Sequence, residues 1–256
     1  MNVPHSPIAI ITGATAGIGE AIARRFASGG YRLVVCGRRG DRLAALVPEL
    51  IAAGSPSVRP LSFDITDRQA TEAALKSLPT DWKQPGLLVN NAGLALGLDR
   101  IQEGSISDWD TMIDTNIKGL LYITAIVSRW MVQAGTGHII NIGSIAGREV
   151  YPAGNVYCAT KFAVDALSKA MRIDLMDAGI RVSQIAPGAA ETEFSQVRFK
   201  GDSARAEGVY QGFTPLTGND IAEIAWWVAR APAHVNIADV LVLPTAQASA
   251  GLIRRS

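Results

Sequence analysis

The sequence has almost no excess of charge of either sign, since 24 lysines and arginines face 23 aspartates and glutamates. A protein that coats a polyanion must neutralise many phosphates at once, so this balance excludes a histone-like or basic-tail nucleic-acid binder. Long hydrophobic runs are also missing. The longest, residues 120–127, contains threonine and ends at Ser128, far short of the about 20 residues of a membrane helix. We therefore expect neither nucleic acid nor a membrane as a partner.

Cysteine is equally scarce, with 2 residues in 256. Cys36 and Cys158 cannot form a disulfide framework, and neither belongs to a Cys-x-x-Cys motif or a cysteine-histidine cluster. The segment Met1 to Pro7 contains prolines and a histidine, where an export signal has a basic start followed by an apolar run. These features predict a cytoplasmic protein without a metal site, in which both cysteines are small core residues.

Short β-branched runs alternate with helical patterns along the chain, which is typical of a parallel sheet covered by helices on both faces. We predict one Rossmann-type, doubly wound α/β domain over residues 1–256, with a seven-stranded parallel sheet. The segment 189–217 mixes charges, glycines and aromatic residues without a clear period, and we predict that it is a substrate lid. The predicted strands are Ile8 to Ile11, Arg32 to Cys36, Val58 to Phe63, Leu87 to Asn90, His138 to Ile142, Arg181 to Ile185 and Val240 to Leu243.

A glycine-rich turn follows the first predicted strand and opens directly into a helix. Glycines there let the backbone bend tightly and approach a pyrophosphate, while the helix N-terminus offers free N–H groups and the positive end of its dipole. The spacing is Gly-x-x-x-Gly-x-Gly, and a plain tight turn without a ligand is the alternative. The candidate phosphate-binding residues are Gly13, Thr15, Ala16, Gly17, Ile18 and Gly19.

The end of the second strand favours NADP over NAD. An NAD-binding unit holds the ribose 2′-hydroxyl with a carboxylate at this place, whereas this strand continues into Gly37, Arg38 and Arg39. Guanidinium groups match phosphate geometry and keep their charge. We predict that Arg38 and Arg39 bind the 2′-phosphate; in the alternative, both are solvated surface charges and Asp41 takes the acidic role.

Four polar residues are candidates for catalysis. Tyr157 and Lys161 have the i, i+4 spacing that places two side chains on one face of a helix. One positive charge about 5 Å away at an effective dielectric of about 20 favours phenolate by about 3 kcal/mol, which predicts a Tyr157 pKa about two units below its usual value of about 10. Ser144 follows the fifth strand, at the carboxyl edge where open α/β sheets bind ligands. Asn116 lies inside a predicted long helix, where asparagine is unfavourable, and we predict a functional bend there.

The order of these motifs resembles that of a short-chain dehydrogenase/reductase. The resemblance spans almost the whole chain and is carried by the turn from Thr12 to Gly19, Asp64, Asn90-Asn91-Ala92-Gly93, Asn116, Ser144, Tyr157-x-x-x-Lys161 and Pro187-Gly188. It implies that Tyr157 is the catalytic acid/base and that Ser144 donates a hydrogen bond to the substrate oxygen. Lys161 is then the electrostatic partner of the phenol and a ligand of the nicotinamide ribose, and Asn116 steadies a water relay to Lys161.

The same resemblance implies that NADP(H) is the cofactor and extends the set of residues that bind it. Asp64 and Ile65 are implied to contact the adenine, and Asn91 the adenine-side ribose. The stretch from Pro187 to Thr192 is implied to hold the nicotinamide amide. The further cofactor-binding candidates are Ala92, Gly93, Gly188, Tyr157 and Lys161.

A narrower resemblance, to the NADP-dependent 3-hydroxy acid dehydrogenases, rests on residues 90–97, 192–202, 225–227 and 243–247. It implies an enzyme that interconverts a short anionic 3-hydroxy acid, such as serine, allo-threonine or 3-hydroxypropionate, with its carbonyl form. A cation would orient the substrate anion, and Arg148, Arg198 and Lys200 are the candidates. In the alternative, Arg198 and Lys200 pair with Glu193 and Asp202 on a solvated lid.

Residues 147–150 and 189–191 depart from the usual pattern of that subgroup and leave two other hypotheses open. One is reduction of sulfoacetaldehyde to isethionate, because Arg148 near Ser144 would suit an always-ionised sulfonate. The other is a non-catalytic NADP-binding regulator, which the joint presence of four catalytic candidates disfavours. By analogy with related enzymes we also expect a homotetramer, assembled through the helices that contain Asn116 and Tyr157 and through the final strand.

Overall fold

A parallel sheet of seven strands forms the centre of the computed structural model, which describes residues 6–256. Its strands are β1 (Ile8–Thr12), β2 (Arg32–Gly37), β3 (Val58–Ser62), β4 (Leu87–Asn90), β5 (Gly137–Ile142), β6 (Ile180–Pro187) and β7 (Asp239–Val242). They lie in the order β3-β2-β1-β4-β5-β6-β7, and every neighbouring pair is parallel. The predicted seven-stranded sheet is therefore confirmed. Residues 1–5, which include most of the segment examined for an export signal, lie outside the described residues.

Helices cover both faces of the sheet, as the alternating pattern predicts. They are α1 (Gly17–Ser28), α2 (Gly40–Ala52), α3 (Arg68–Lys76), α4 (Ile106–Ile113), α5 (Leu120–Ala134), α6 (Asn155–Asp174), α7 (Glu193–Arg198), α8 (Ser203–Gly208) and α9 (Gly218–Ala229). Buried side chains of α1, α2 and α9 pack on one face of the sheet, and those of α3, α5 and α6 pack on the other. In the part of the chain that the structure describes, no helix is both long and apolar enough to cross a membrane.

The strands differ in composition according to their place in the sheet. All five residues of β1 are buried, because helices cover both faces of this central strand. The edge strand β3 contains Pro60 beside the exposed Arg59, which fits an edge because proline cannot donate a ladder hydrogen bond. Cys36 and Cys158 are both buried, as predicted. The sequence pattern thus follows the burial that the sheet order imposes.

The strand order also fixes where a ligand can bind. The chain winds outward from β1 to β3 on one side and from β4 to β7 on the other, so the connections after β1 and β4 diverge. A crevice opens at such a switch point, outside the carboxyl ends of the strands. The residues that follow β1, β4, β5 and β6 therefore share one edge of the sheet.

Three local features differ from the expectation. The long helix predicted around Asn116 is divided by a π-helical turn, Asp114–Gly119, between α4 and α5. The segment 189–217 is not irregular throughout, since it contains α7 and α8. A short antiparallel hairpin, β8 (Gln247–Ser249) with β9 (Leu252–Ile253), ends the chain. The π-helical turn contacts Leu94 and Thr160 through Asn116, and local periodicity does not report such distant contacts.

Candidate active site

A cleft of about 590 Å³ runs along the carboxyl edge of the sheet, where the connections after β1 and β4 diverge. Nearly all the predicted site residues line it. They are Gly13, Thr15, Ala16, Gly17, Ile18, Arg38, Arg39, Asp64, Ile65, Asn91, Ala92, Gly93, Ser144, Tyr157, Lys161, Pro187, Gly188, Thr192 and Arg198. Four predicted residues do not line it, namely Gly19, Asn116, Arg148 and Lys200.

The glycine-rich turn brings the start of α1 into this cleft. Gly13 and Gly17 have φ values of +66° and +56°, a conformation that favours glycine. A Cβ atom on Gly19 would lie 2.3 Å from the Asn91 amide nitrogen, so Gly19 permits close packing behind the turn instead of contacting a ligand. The cap residue of α1, Ala16, forms no side-chain hydrogen bond to the helix. The first N–H groups of α1 therefore remain available to an anion.

Asn91 supports the same turn from β4. Its Nδ2 atom donates to the carbonyl oxygens of Thr12 and Gly13 at 2.9 and 3.2 Å. The Thr12 hydroxyl accepts hydrogen bonds from the backbone N–H groups of Asn91 and Ala92 at 3.0 and 2.9 Å. These contacts couple the carboxyl ends of β1 and β4, so the position of the phosphate-binding turn is fixed by the sheet.

Arg38 and Arg39 lie at the same end of the cleft as the glycine-rich turn. Arg39 donates from Nε and Nη2 to the Thr15 hydroxyl at 3.1 and 2.9 Å and from Nη1 to Glu193 at 2.8 Å. Arg38 is more exposed, and its nearest carboxylate oxygen is on Asp64 at 3.8 Å. The two arginines leave a positively charged end of the cleft that suits a phosphate group.

Ser144, Tyr157 and Lys161 meet at the opposite end. Ser144 directly follows Gly143, after β5, and its hydroxyl accepts a hydrogen bond from the Ala146 N–H group at 3.1 Å. Tyr157 and Lys161 lie one turn apart on α6, and the Lys161 Nζ atom is 5.9 Å from the centre of the Tyr157 ring. Lys161 also donates to the carbonyl oxygen of Ile142 at 3.0 Å. The sheet edge and α6 thus bring the predicted residues together.

Asn116 stands behind the cleft, in the π-helical turn. Its Oδ1 atom accepts from the Leu94 N–H group at 2.8 Å, and its Nδ2 atom donates to the Leu94 carbonyl at 2.8 Å and to the Thr160 hydroxyl at 3.0 Å. The π-helical turn lies where the sequence predicted a bend, and through Asn116 it connects the loop at residues 93–94 with α6. Asn116 stabilises the backbone on which Tyr157 and Lys161 stand.

The expected low pKa of Tyr157 is not found. Burial is the largest influence, and it raises the pKa of this phenol well above its usual value, while Ser144 and Arg198 only partly oppose it. Burial also lowers the pKa of Lys161 to about 8. The positive charge of Lys161 favours phenolate, but both groups are removed from water, which disfavours their charged forms and outweighs that charge.

Arg148 requires a correction, because the prediction placed it at the substrate anion. Its guanidinium is hydrogen-bonded to Asp239 and lies 3.4 Å from the Asp165 carboxylate. These partners are at the start of β7 and on α6, away from the cleft. The side chain is therefore neutralised between two carboxylates and does not face a ligand.

The other two candidate cations separate. Lys200 forms an ion pair with Asp108 at 2.8 Å, while Asp202 caps α8 through the Arg205 N–H group. Arg198 instead lines the cleft, with its guanidinium carbon 5.6 Å from the centre of the Tyr157 ring. Neither residue pairs with Glu193 or Asp202, so the pairing expected in the solvated-lid alternative is wrong, although Lys200 is a solvent-exposed, ion-paired residue.

Sequence reasoning missed several residues that shape this end of the cleft. Tyr151 and Phe194 line it, and Phe194 packs against Tyr157 with ring centres 5.5 Å apart. Gln247 accepts a hydrogen bond from the Ala189 N–H group at 2.8 Å and joins the C-terminal hairpin to the segment 189–217. Phe194 and Gln247 are far in sequence from Tyr157 and Ala189, the residues that they touch. The aromatic content of that segment was the one available signal.

The residues present fit a dinucleotide with a 2′-phosphate. The glycine-rich turn offers uncapped N–H groups for a pyrophosphate, and Arg38 and Arg39 offer guanidinium groups next to it. Lys161 lies at the far end, beside Tyr157, and the 187–192 stretch lines the same cleft. Residues 6–256 contain no cluster of His, Cys, Asp or Glu that could hold a metal ion.

A doubly wound sheet with this arrangement defines the class of nicotinamide-dependent oxidoreductases. Comparison with known sequences gives the family: its profile, described as short chain dehydrogenase, matches residues 7–203. The chain belongs to the short chain dehydrogenase family, as the order of its motifs predicts.

Individual relatives share nearly the whole length of the chain. The NADP-dependent 3-hydroxy acid dehydrogenase YdfG of Salmonella typhi is 50% identical over 96% of this chain and 98% of its own. Sulfoacetaldehyde reductase 2 of Chromohalobacter salexigens is 44% identical over 95% and 96%. A solved structure of the closed form of serine dehydrogenase complexed with NADP+ matches with a TM-score of 0.91 and 47% identity, covering 97% of this chain and 100% of that one. The protein is an NADP-dependent oxidoreductase that acts on a hydroxyl group.

Proposed function

We propose that this protein interconverts a short anionic 3-hydroxy acid and its carbonyl form with NADP(H). The observation that carries the proposal is the position of Arg198, which lines the cleft beside Tyr157. Within residues 6–256, Arg198 has no carboxylate partner within 4.0 Å. Its charge is therefore left for an anionic ligand whose reacting carbon lies near the phenol.

Tyr157 is the acid/base in this proposal. Because burial raises its pKa, the phenol is protonated at neutral pH and can give its proton to the substrate oxygen when a carbonyl is reduced. Ser144 donates a hydrogen bond to the same oxygen and stabilises the developing alkoxide. Lys161 provides positive charge next to the phenol, and Asn116 positions α6. Bound NADP(H) supplies or accepts the hydride.

The walls of the cleft favour a short substrate. Tyr151, Phe194 and Val197 surround the end at which Arg198 and Tyr157 meet. The Arg198 Nε atom donates to the Gly97 carbonyl at 3.1 Å, and the Gly97 N–H group donates to the Arg198 carbonyl at 3.0 Å. Arg198 is thereby held at a fixed place, and a substrate anion would lie a few atoms from the oxygen that Tyr157 protonates.

Reduction of a sulfonated aldehyde is the second candidate. The 44% identity with a sulfoacetaldehyde reductase favours it, but the argument from Arg148 no longer does, since that residue is paired with Asp165 and Asp239. Arg198 could bind a carboxylate or a sulfonate through the same donors. We place the carboxylate first because the 3-hydroxy acid dehydrogenases are the more similar relatives in this pair.

Turnover with matched alcohols tests the choice. We expect NADP+ reduction, followed by the absorbance of NADPH, with serine or 3-hydroxypropionate at a kcat/KM at least about tenfold above that with isethionate, a difference of about 1.4 kcal/mol. Ethanol and 1-propanol are the uncharged controls. A higher kcat/KM with isethionate would favour the sulfonate activity over the proposed one. Equal kcat/KM values with the neutral alcohols would show that the enzyme does not recognise an anionic group.

We further propose that residues 1–256 act as one catalytic domain and that the segment 189–217 is its lid. We also propose that four copies of the chain assemble into a tetramer. Large apolar side chains are exposed on α5, α6 and β7, namely Leu121, Val132, Phe162, Ile173 and Leu241. Exposed apolar groups on neighbouring elements are typical of an interface. We expect sedimentation velocity at micromolar concentration to give a species of about four times the 27.1 kDa chain. A monomer would contradict this assembly.

A further inference from the structure

Glu193 joins the segment 189–217 to the arginines at the adenosine end of the cleft. Its Oε1 atom accepts a hydrogen bond from Arg42 Nη1 at 2.6 Å, and its Oε2 atom accepts one from Arg39 Nη1 at 2.8 Å. Glu193 is the first residue of α7. One carboxylate therefore holds the start of α7 against two cations, one of which, Arg42, sequence reasoning did not single out.

One of these N–H donors belongs to Arg39, a residue predicted to bind the 2′-phosphate. Arg39 gives its Nε and Nη2 atoms to Thr15, so Nη1 is the nitrogen left for a ligand, and Glu193 takes it. A phosphate monoester carries about 1.5 to 2 negative charges and three acceptor oxygens, against one charge on a carboxylate. The two anions compete for the same guanidinium groups and repel each other if both are present.

Glu193 is ionised when it makes these contacts. Burial by itself raises the pKa of its carboxyl, but the hydrogen bonds from Arg42 and Arg39 outweigh burial and bring the pKa below its usual value. All three side chains remain partly open to solvent, with exposed fractions of 40% for Arg39, 47% for Arg42 and 44% for Glu193. Such ion pairs are weak, so a better anion can replace this one.

We propose that Glu193 is a specificity-determining residue for the cofactor: it occupies the donors of Arg39 and Arg42 that bind the 2′-phosphate, and the phosphate displaces it. Displacement detaches the first turn of α7 from the cofactor end of the cleft. The presence of the 2′-phosphate would thus be communicated to the segment that carries Arg198, five residues further along the same helix. Arg42 is assigned as a third phosphate-binding arginine, beside Arg38 and Arg39.

Binding of nucleotide fragments tests the competition without any turnover. The probes are 2′,5′-ADP and 5′-AMP, which differ by the 2′-phosphate, measured by isothermal titration calorimetry. We expect Glu193→Gln to tighten binding of 2′,5′-ADP about threefold to tenfold, because two exposed ion pairs no longer have to be broken. Binding of 5′-AMP should change by less than about twofold.

Glu207→Gln is the matched control. Glu207 lies on α8, in the same segment, and its side chain makes no ion pair or hydrogen bond to another described residue. The Glu207→Gln substitution removes the same charge without freeing an arginine. The affinities for 2′,5′-ADP and 5′-AMP should therefore stay within about twofold of those of the unmodified protein. Equal tightening in both variants would reduce the effect to net charge and would overturn the proposal.

Hydrogen–deuterium exchange of residues 193–198 gives a second readout. In the unmodified protein, 2′,5′-ADP should increase exchange in this helix and 5′-AMP should not, because only the former breaks the Glu193 contacts. In Glu193→Gln the exchange should be high from the start and insensitive to either fragment. Unchanged or weaker binding of 2′,5′-ADP by this variant would mean that Glu193 does not compete with the phosphate. Because neither measurement uses a substrate, this outcome is independent of the 3-hydroxy acid proposal.

Discussion

Replacing Tyr157 by phenylalanine should lower kcat about a thousandfold or more while leaving the Kd for NADPH within about twofold. Phenylalanine keeps the ring, which is 9% exposed and packs against Phe194 at 5.5 Å, so the fold and the cleft wall are preserved. What is lost is the phenolic proton.

The measurement is steady-state turnover together with fluorescence titration of NADPH. Tyr122→Phe is the matched control: Tyr122 lies on α5, away from the cleft, and also loses only a hydroxyl group. It should retain the kcat of the unmodified protein. If Tyr157→Phe kept more than about a tenth of that kcat, the acid/base would have to be another group. A general acid/base contributes a factor of about 10² to 10⁴ to the rate, and its removal should lower kcat by that factor.

The pKa of the Tyr157 phenol shifts in the direction opposite to the one predicted. The spacing of Tyr157 and Lys161 predicted a lowered pKa for the phenol, whereas burial raises the pKa of Tyr157 and lowers that of Lys161 to about 8. The i, i+4 spacing indicates how far apart the two side chains are on the helix, but their burial depends on which elements cover the pair. Here the covering residues, such as Phe194 and Tyr151, come from other parts of the chain.

Local motifs were the most predictable part of the molecule. The glycine-rich turn lies where strand-to-helix spacing predicted it, because φ values such as +66° at Gly13 are a property of a few neighbouring residues. The parallel sheet was predictable for a similar reason, since a fully buried central strand such as β1 reads as a continuous apolar run. Each of these inferences needed no knowledge of distant contacts.

Ion pairs of single cations were not predictable. Arg148 follows closely after Ser144 in sequence and was expected at the substrate, yet it reaches Asp165 and Asp239, 17 and 91 residues away. Lys200 pairs with Asp108 and Glu193 with Arg39 and Arg42 by the same kind of long-range contact. Of the cations proposed for the substrate, the fold leaves Arg198 at the cleft because Gly97 holds it there.

Arg198→Met should therefore lower kcat/KM for anionic 3-hydroxy acids about a hundredfold, chiefly through KM, because a hydrogen-bonded charge contact contributes about 1.5 to 3 kcal/mol. Methionine keeps an unbranched side chain of similar reach, so the contact with the Tyr157 and Tyr151 rings, 5.6 and 5.5 Å from the guanidinium, is largely retained. For an uncharged analogue, the primary amide of 3-hydroxypropionate, kcat/KM should change by less than about threefold. The difference between the two substrates isolates the charge.

Arg205→Met is the matched control for this prediction. Arg205 lies in the same segment and stacks on Phe199 at 4.6 Å, but it does not line the cleft. Removing its charge should leave kcat/KM for the acid and for the amide within about twofold, because exposed charges contribute little. Equal losses for acid and amide in Arg198→Met would show that Arg198 shapes the cleft and does not bind the substrate anion, and the substrate class proposed from its position would then have to be withdrawn.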